Sequence, residues 1–399
     1  METLFADRMA DVPRSFIREI LKVAVDSEMI SFAGGLPNRD MFPVAELREA
    51  ANKVFDTAGK ESLQYSNTEG YLPLREYIAA RYKETRGLDI PADNILITNG
   101  SQQGLDLLGK IMIDDGDEIV IEEPGYLGAI QCFSMYKASF NPVTLNPDGI
   151  DLEQLEKTIR AKNPKMFYMV PNFQNPSGIS YSEANREAVA ELVKGTRTRI
   201  IEDDPYGDLR YFGGALPSFM RYAPDNTILL GSFSKTVVPS FRMGWIVASG
   251  NIMEKLNIAK QASDLHSNYF TQRLLYQYLQ DNNIADHIKK IRNLYGKQCK
   301  AMIDALAEYF PKGIQFTMPE GGMFLWVMLP DNLSAMRLFD IAIKKKVAFV
   351  PGNPFYVNRS DANTLRLNFS CVDEDTIRIG IKRLGEAVQE LIQENSNTI

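Results

Sequence analysis

From about residue 94, short apolar runs recur along the chain. They read NILIT (94–98), DEIVIE (117–122), KMFYMV (165–170), RIIED (199–203), TILLGS (227–232) and GWIVAS (244–249), each bounded by turn residues. Near-continuous apolar runs of this length fit strands covered on both faces. Amphipathic stretches lie between them. In DLEQLEKTIRA, Leu152, Leu155 and Ile159 fall on one helical face. Strands alternating with helices predict an α/β fold, a mostly parallel sheet between helical layers.

The pattern changes after about residue 285. One long helical region (286–310) is followed by GMFLWVML, VAFVPG and TLRLNFS as strands. A last helix keeps Ile377, Ile381, Leu384 and Val388 in register. This predicts a smaller α+β domain over 286–399, behind a large domain over 41–285. Residues 1–40 form an N-terminal arm, too short for a domain. The arm carries an amphipathic stretch with Phe16, Ile20 and Val23 at helical spacing, then Gly34-Gly35-Leu36-Pro37.

Composition excludes several classes. With 45% hydrophobic and 24% charged residues, the 399-residue chain is ordinary globular material. Its net charge is −7 and it has no basic run, which argues against nucleic acid or a membrane surface as partner. No apolar stretch reaches the ~18 residues of a membrane span. The start, METLFADRMADVPR, has no signal-peptide core, so a cytoplasmic location is expected. Cys132, Cys299 and Cys371 are odd in number and far apart, hence read as reduced thiols. The two histidines, His266 and His287, lack metal-ligand spacing, and no GxSxG elbow accompanies them. No metal site and no Ser-His-Asp hydrolase is expected.

The chemistry concentrates at strand ends. TILLGSFSKTVVPSFRMGW gathers Ser232, Ser234, Lys235 and Arg242 where a buried strand opens into a loop. Hydroxyls with a fork-shaped guanidinium suit a phosphate dianion, and ligands of open α/β sheets bind at carboxyl ends of strands. Ser232-x-x-Lys235 also fits the S-x-x-K of penicillin-binding proteins, but no K-T-G follows and Pro239 opposes a helix. Lys235-Thr236 fits the end of a Walker A loop, but Ser234 stands in the glycine position. A second anion site is Asn99-Gly100-Ser101-Gln102, where a strand turns into a helix. Asp203 ends RIIED with Tyr206 three residues on. Asn175 precedes Pro176 in VPNFQNPSG, and Tyr126 closes EEPGY. Taken singly, each of these is an ordinary loop or cap.

Taken in order, the segments resemble the fold-type I pyridoxal-phosphate (PLP) enzymes, specifically the class I/II aminotransferases of the 2-aminoadipate and kynurenine branch. IREILK, FAGGLPN, QYSNTEGYLPLRE, NGSQQGLDLL, EEPGY, NFQNPSG, EDDPY, SFSKT-x5-RMGW and LRLNFS carry the likeness across about residues 14–393. The resemblance implies the PLP-transferase fold and an amino group moved between an L-amino acid and a 2-oxo acid, with 2-oxoglutarate the expected one. Lys235 then forms the aldimine with the cofactor. Asp203 pairs with the pyridine nitrogen, keeping the ring an electron sink. Tyr206 and Asn175 bond the phenolate oxygen, Tyr126 stacks on the ring, and Ser101, Gln102, Ser232, Ser234 and Arg242 hold the phosphate. Gly35 and Arg366 bind the substrate, Arg366 clamping its α-carboxylate from the polar face of TLRLNFS. A structural salt bridge is the alternative for Arg366. Cis bonds are expected at Asn175–Pro176 and, after it, Glu123–Pro124. The family pattern also makes a homodimer, with Tyr65 reaching the neighbouring subunit's phosphate, and a lid helix over residues 15–25 whose Arg18 meets the substrate side chain. Two other activities stay open: a C–S lyase on the same scaffold, and an aminotransferase-like regulator without catalysis. The match starting near residue 14 leaves the regulator no DNA-binding domain.

Overall fold

A computed structural model describes residues 4–9, 28–359 and 361–396. Arg18 and the amphipathic stretch around it lie outside the described residues.

An eight-stranded sheet forms the centre. Its spatial order is Ile95–Asn99, Met243–Val247, Thr227–Ser232, Arg199–Asp203, Met166–Met169, Glu118–Glu123, Ser139–Asn146 and Gly149–Ile150. Each of the six apolar runs between residues 94 and 249 supplies one of these strands. The four from Thr227–Ser232 to Glu118–Glu123 are parallel and almost wholly buried. Helices Ser101–Met112, Leu152–Lys162 and Glu183–Val193 cross between strands. Asp151 and Ser182 cap the last two, accepting from Gln154 N and Asn185 N.

Two features depart from expectation. Ser139–Asn146 is a strand although Pro142 sits inside it. Near the edge of a sheet a proline costs little, because fewer backbone groups need a ladder partner. The strand Met243–Val247, which contains most of GWIVAS, runs antiparallel to both neighbours. Its first residues therefore stand beside the last residues of Ile95–Asn99 and Thr227–Ser232.

A second sheet, antiparallel, has the order Gln315–Phe316, Phe324–Met328, Thr364–Asn368 and Val350–Pro351. Helices Ile284–Tyr309 and Glu374–Ser396 pack along one another beside it. One continuous core joins the two parts: Leu96, Tyr168 and Leu230 belong to the same cluster as Phe324, Leu367 and Ile381. The segment after residue 29 runs along the second sheet. Ile30–Ser31 pairs with Val347–Ala348, and Phe32 accepts from Asn368 N at 2.8 Å. That places Ala33 to Leu36 between the two sheets.

Candidate active site

The strands whose ends carry the sequence candidates all point the same way. Their carboxyl ends bring Asn99–Gln102, Tyr126, Asn175, Asp203, Tyr206 and Ser232–Lys235 to one edge of the large sheet.

Lys235 is partly buried there, and its Nζ donates to Gly35 O at 2.8 Å. Burial is the chief cause that lowers its pKa to about 8, and the cations Arg366 and Arg242 push the same way. The neutral amine is the nucleophile, so the sign is fixed. Cofactor-free protein should react with an aldehyde at Nζ with a rate that rises through about pH 8. Arg366→Leu removes a neighbouring cation and should move that curve to higher pH. Stopped-flow absorbance across pH 6–10 checks it; a midpoint near that of a free lysine contradicts the assignment.

A cradle for an anion lies beside Lys235. Helix Ser101–Met112 begins after Gly100, whose φ of 74° suits glycine. A Cβ on Gly100 would come within 2.5 Å of an Arg242 guanidinium nitrogen, so Arg242 lies against the bare backbone at the helix start. Gly244 lets the loop close: a Cβ there would come within 2.6 Å of the Gly100 carbonyl carbon. On the other side, Ser232 Oγ accepts from Ser234 N at 3.0 Å, while Ser234 Oγ is buried and bonds nothing among the described residues. Gln102 Nε2 donates to Gly128 O at 3.0 Å, tying the helix start to the turn after Tyr126. Beneath, Lys260 bonds Asp264 and Gln103, and Asp264 also holds the Asn99 side chain. Free helix-start N–H groups, a hydroxyl and a guanidinium make a dianion site.

Asp203 is buried at the end of its strand. Its Oδ2 accepts from Tyr168 Oη at 2.8 Å, and its Oδ1 bonds nothing among the described residues. Burial raises its pKa to about 7, against the lowering effect of the Tyr168 hydrogen bond. Such a carboxylate is fitted to a cationic N–H donor brought in by a ligand. Tyr126 lies close by, stacked with Tyr168 at 6.5 Å between centroids. Burial raises its hydroxyl to about 12, and Asp203, Arg366 and Arg242 all act on it. Tyr206 is buried edge-on to Phe324, close to the Asn175 side chain.

Arg366 faces Lys235 from the second sheet. Alternation along Thr364–Asn368 sends Leu365 and Leu367 into the core and Arg366 toward the large sheet. Its guanidinium donates to Asn175 Oδ1 and Ala33 O, each at 2.8 Å, and lies 4.4 Å over Phe324 and 5.3 Å over Phe355. Nε has no partner, and no carboxylate pairs with the group among the described residues. The salt-bridge alternative therefore has no acid to rest on among the described residues. Burial lowers this guanidinium to about 10. A buried cation without a counter-ion is costly unless a ligand supplies the anion.

Tyr65 stands apart. It is 79% exposed, edge-on to His266, and no hydrogen bond or ring contact joins it to the cluster. Both expected cis bonds, Asn175–Pro176 and Glu123–Pro124, are present. Two residues went unread in the sequence. Tyr168 looked like one more apolar position of KMFYMV, although it lies on the same sheet face as Asp203. Phe324 looked like a core position of GMFLWVML, yet its ring meets Arg366 and Tyr206 and limits Gly35, where a Cβ would come within 3.1 Å of it.

The comparisons agree with this geometry. The sequence profile of aminotransferase class I and II matches residues 27–384. The chain is 39% identical over 395 residues to aromatic-amino-acid aminotransferase 1 of Thermococcus litoralis, covering 98% of this chain and 95% of that protein. Kynurenine aminotransferase of Pyrococcus horikoshii superposes with a TM-score of 0.93 at 40% identity, covering 97% of each chain. The α-aminoadipate aminotransferase of Thermus thermophilus, complexed with N-(5'-phosphopyridoxyl)-L-leucine, gives 0.91 at 38% identity and 98% coverage of each. The chain belongs to the class I and II aminotransferases. It is a transaminase with the PLP-transferase fold.

Proposed function

We propose that the chain moves an amino group from an L-amino acid to 2-oxoglutarate at the site between Lys235, Asp203 and Arg366. The buried Arg366 guanidinium, without a carboxylate partner among the described residues, carries this reading. It is placed to grip the α-carboxylate of an amino or oxo acid in two-point fashion. Asn175 and the two rings hold it in place.

Pyridoxal phosphate fits the remaining groups. Bound there, it supplies a carbonyl carbon for amines and a conjugated ring that takes up the electron pair released at the substrate Cα. Ser101, Gln102, Ser232, Ser234 and Arg242 would hold its phosphate. The partnerless Asp203 Oδ1 would receive the ring N–H. Tyr206 and Asn175 would donate to the ring's phenolate oxygen, with Tyr126 over its face. Lys235 Nζ takes up the proton leaving the substrate Cα, and its lowered proton affinity leaves the amine neutral above about pH 8. Gly35 O orients that amine.

Leu36, 59% exposed next to Gly35, would offer apolar surface to a donor side chain in this reading. Aromatic and large apolar donors should therefore react well. A panel of amino donors with 2-oxoglutarate tests the reading, with glutamate as the product measured. Release of pyruvate and ammonia with no oxo acid added would favour the lyase instead.

A homodimer completes the reading. Phe55, Leu63, Tyr65, Leu72 and Leu265 leave apolar surface exposed, and ring contacts link 55 with 270, 65 with 266, and 71 with 269. In a dimer built on this face, Tyr65 of one protomer would reach the phosphate site of its partner. Light scattering at assay concentration decides: a fully active monomer ends the proposal. We place the division between large and small domains near residue 285, at the start of helix Ile284–Tyr309. Among the described residues no helix is long and apolar enough to cross a membrane.

A further inference from the structure

We propose that Tyr168 is a positioning residue for the reaction: its hydroxyl commits one oxygen of Asp203, so that the other alone meets the cofactor's ring nitrogen. The proposal rests on the role given above to Asp203.

The backbone sets up the pair. Tyr168 is opposite Ile201 in the parallel ladder, so Asp203, two residues on, shares its sheet face one diagonal step away. Tyr168 Oη reaches Asp203 Oδ2 at 2.8 Å. The ring is fully buried and held from two sides, edge-on to Phe133 at 5.9 Å and stacked with Tyr126 at 6.5 Å. A side chain locked by packing fixes the group it bonds. Asp203 Oδ1 has no partner among the described residues, although it is buried. The two oxygens of one carboxylate thus stand in different surroundings, one bonded by Tyr168 and one without a partner among the described residues.

Burial pushes the Tyr168 hydroxyl well above its ordinary pKa, so it is a donor throughout the working range. Donation to Asp203 lowers the proton affinity of the carboxylate. That matters where a proton lies between a ring nitrogen and a carboxylate. The weaker base is the carboxylate when Tyr168 donates, and the proton stays on nitrogen. Without the donor, the carboxylate is more basic and free to rotate, and the proton moves toward oxygen. A ring nitrogen short of its proton withdraws electrons less well. If the bond served packing alone, its loss would cost stability and change nothing at the ring.

The test uses holoenzyme reconstituted with pyridoxal phosphate labelled with nitrogen-15 at the ring position. The nitrogen chemical shift separates protonated from neutral pyridine. Wild type is expected at the protonated value. Tyr168→Phe is expected to move toward the neutral value, with kcat down on the order of tenfold and the donor KM little changed. Incorporation of 3-fluorotyrosine at 168 keeps the shape and strengthens the donor. It should shift the nitrogen the other way, which keeps the test intact if Tyr168→Phe folds poorly. An unchanged nitrogen shift in both proteins overturns the role of Tyr168. A neutral nitrogen in wild type overturns the role of Asp203 itself, a distinct result.

Discussion

Lys235→Ala should leave a folded protein whose amino-transfer turnover falls by a factor of about 1,000 or more. On the roles proposed above, two separate functions leave with one side chain: the nucleophile for the cofactor's carbonyl carbon, and the base for the Cα proton. Proton transfer by a placed group alone is worth about 100–10,000-fold. The fold should tolerate the change. Nζ makes one hydrogen bond, to Gly35 O, and its charge is already disfavoured by burial and by Arg366 and Arg242. Steady-state assays with a donor and 2-oxoglutarate measure the loss. Borohydride reduction of the wild-type holoenzyme, followed by peptide mapping, locates the cofactor. A label on any other lysine sinks the assignment, as does turnover within tenfold of wild type in the alanine variant.

Asp203→Asn should lower kcat by a factor of about 100–1,000 while most of the cofactor stays bound. Preorganised charge opposite a developing charge is commonly worth that much. The proposed phosphate cradle at Gly100–Gln102, Ser232, Ser234 and Arg242 is untouched, so retention should suffer less than turnover. Asparagine is the better probe because its amide oxygen can still accept from Tyr168. Alanine would strand that buried hydroxyl at a further cost of about 1–3 kcal/mol. Absorbance of the bound cofactor after gel filtration reports retention, and assays report turnover. Normal turnover with full retention would remove Asp203 from the mechanism.

Much of the site was legible because its residues are polar groups at the ends of apolar runs. Ser232, Lys235 and Asp203 stand out for that reason, and alternation in TLRLNFS exposes Arg366. What the linear pattern could not carry was direction and distance. GWIVAS has the same composition whether parallel or antiparallel, and only pairing reveals that it runs backwards. Ser139–Asn146 hid behind Pro142. Tyr168 and Phe324 hid because an aromatic residue in an apolar run is read as core. Both are core, and each also turns a ring face or a hydroxyl to a charged neighbour.

The reversed strand has a kinetic consequence. The anion cradle needs Gly100 laid on Gly244, and Ile95 must find Val247 far along the chain before that contact exists. Contacts of such sequence separation form against a large loop-closure entropy and tend to come late. The cofactor can then recognise only a nearly finished chain. Its binding energy would accrue to the native state and hold back unfolding, while the rate of refolding would be almost indifferent to how much cofactor is present.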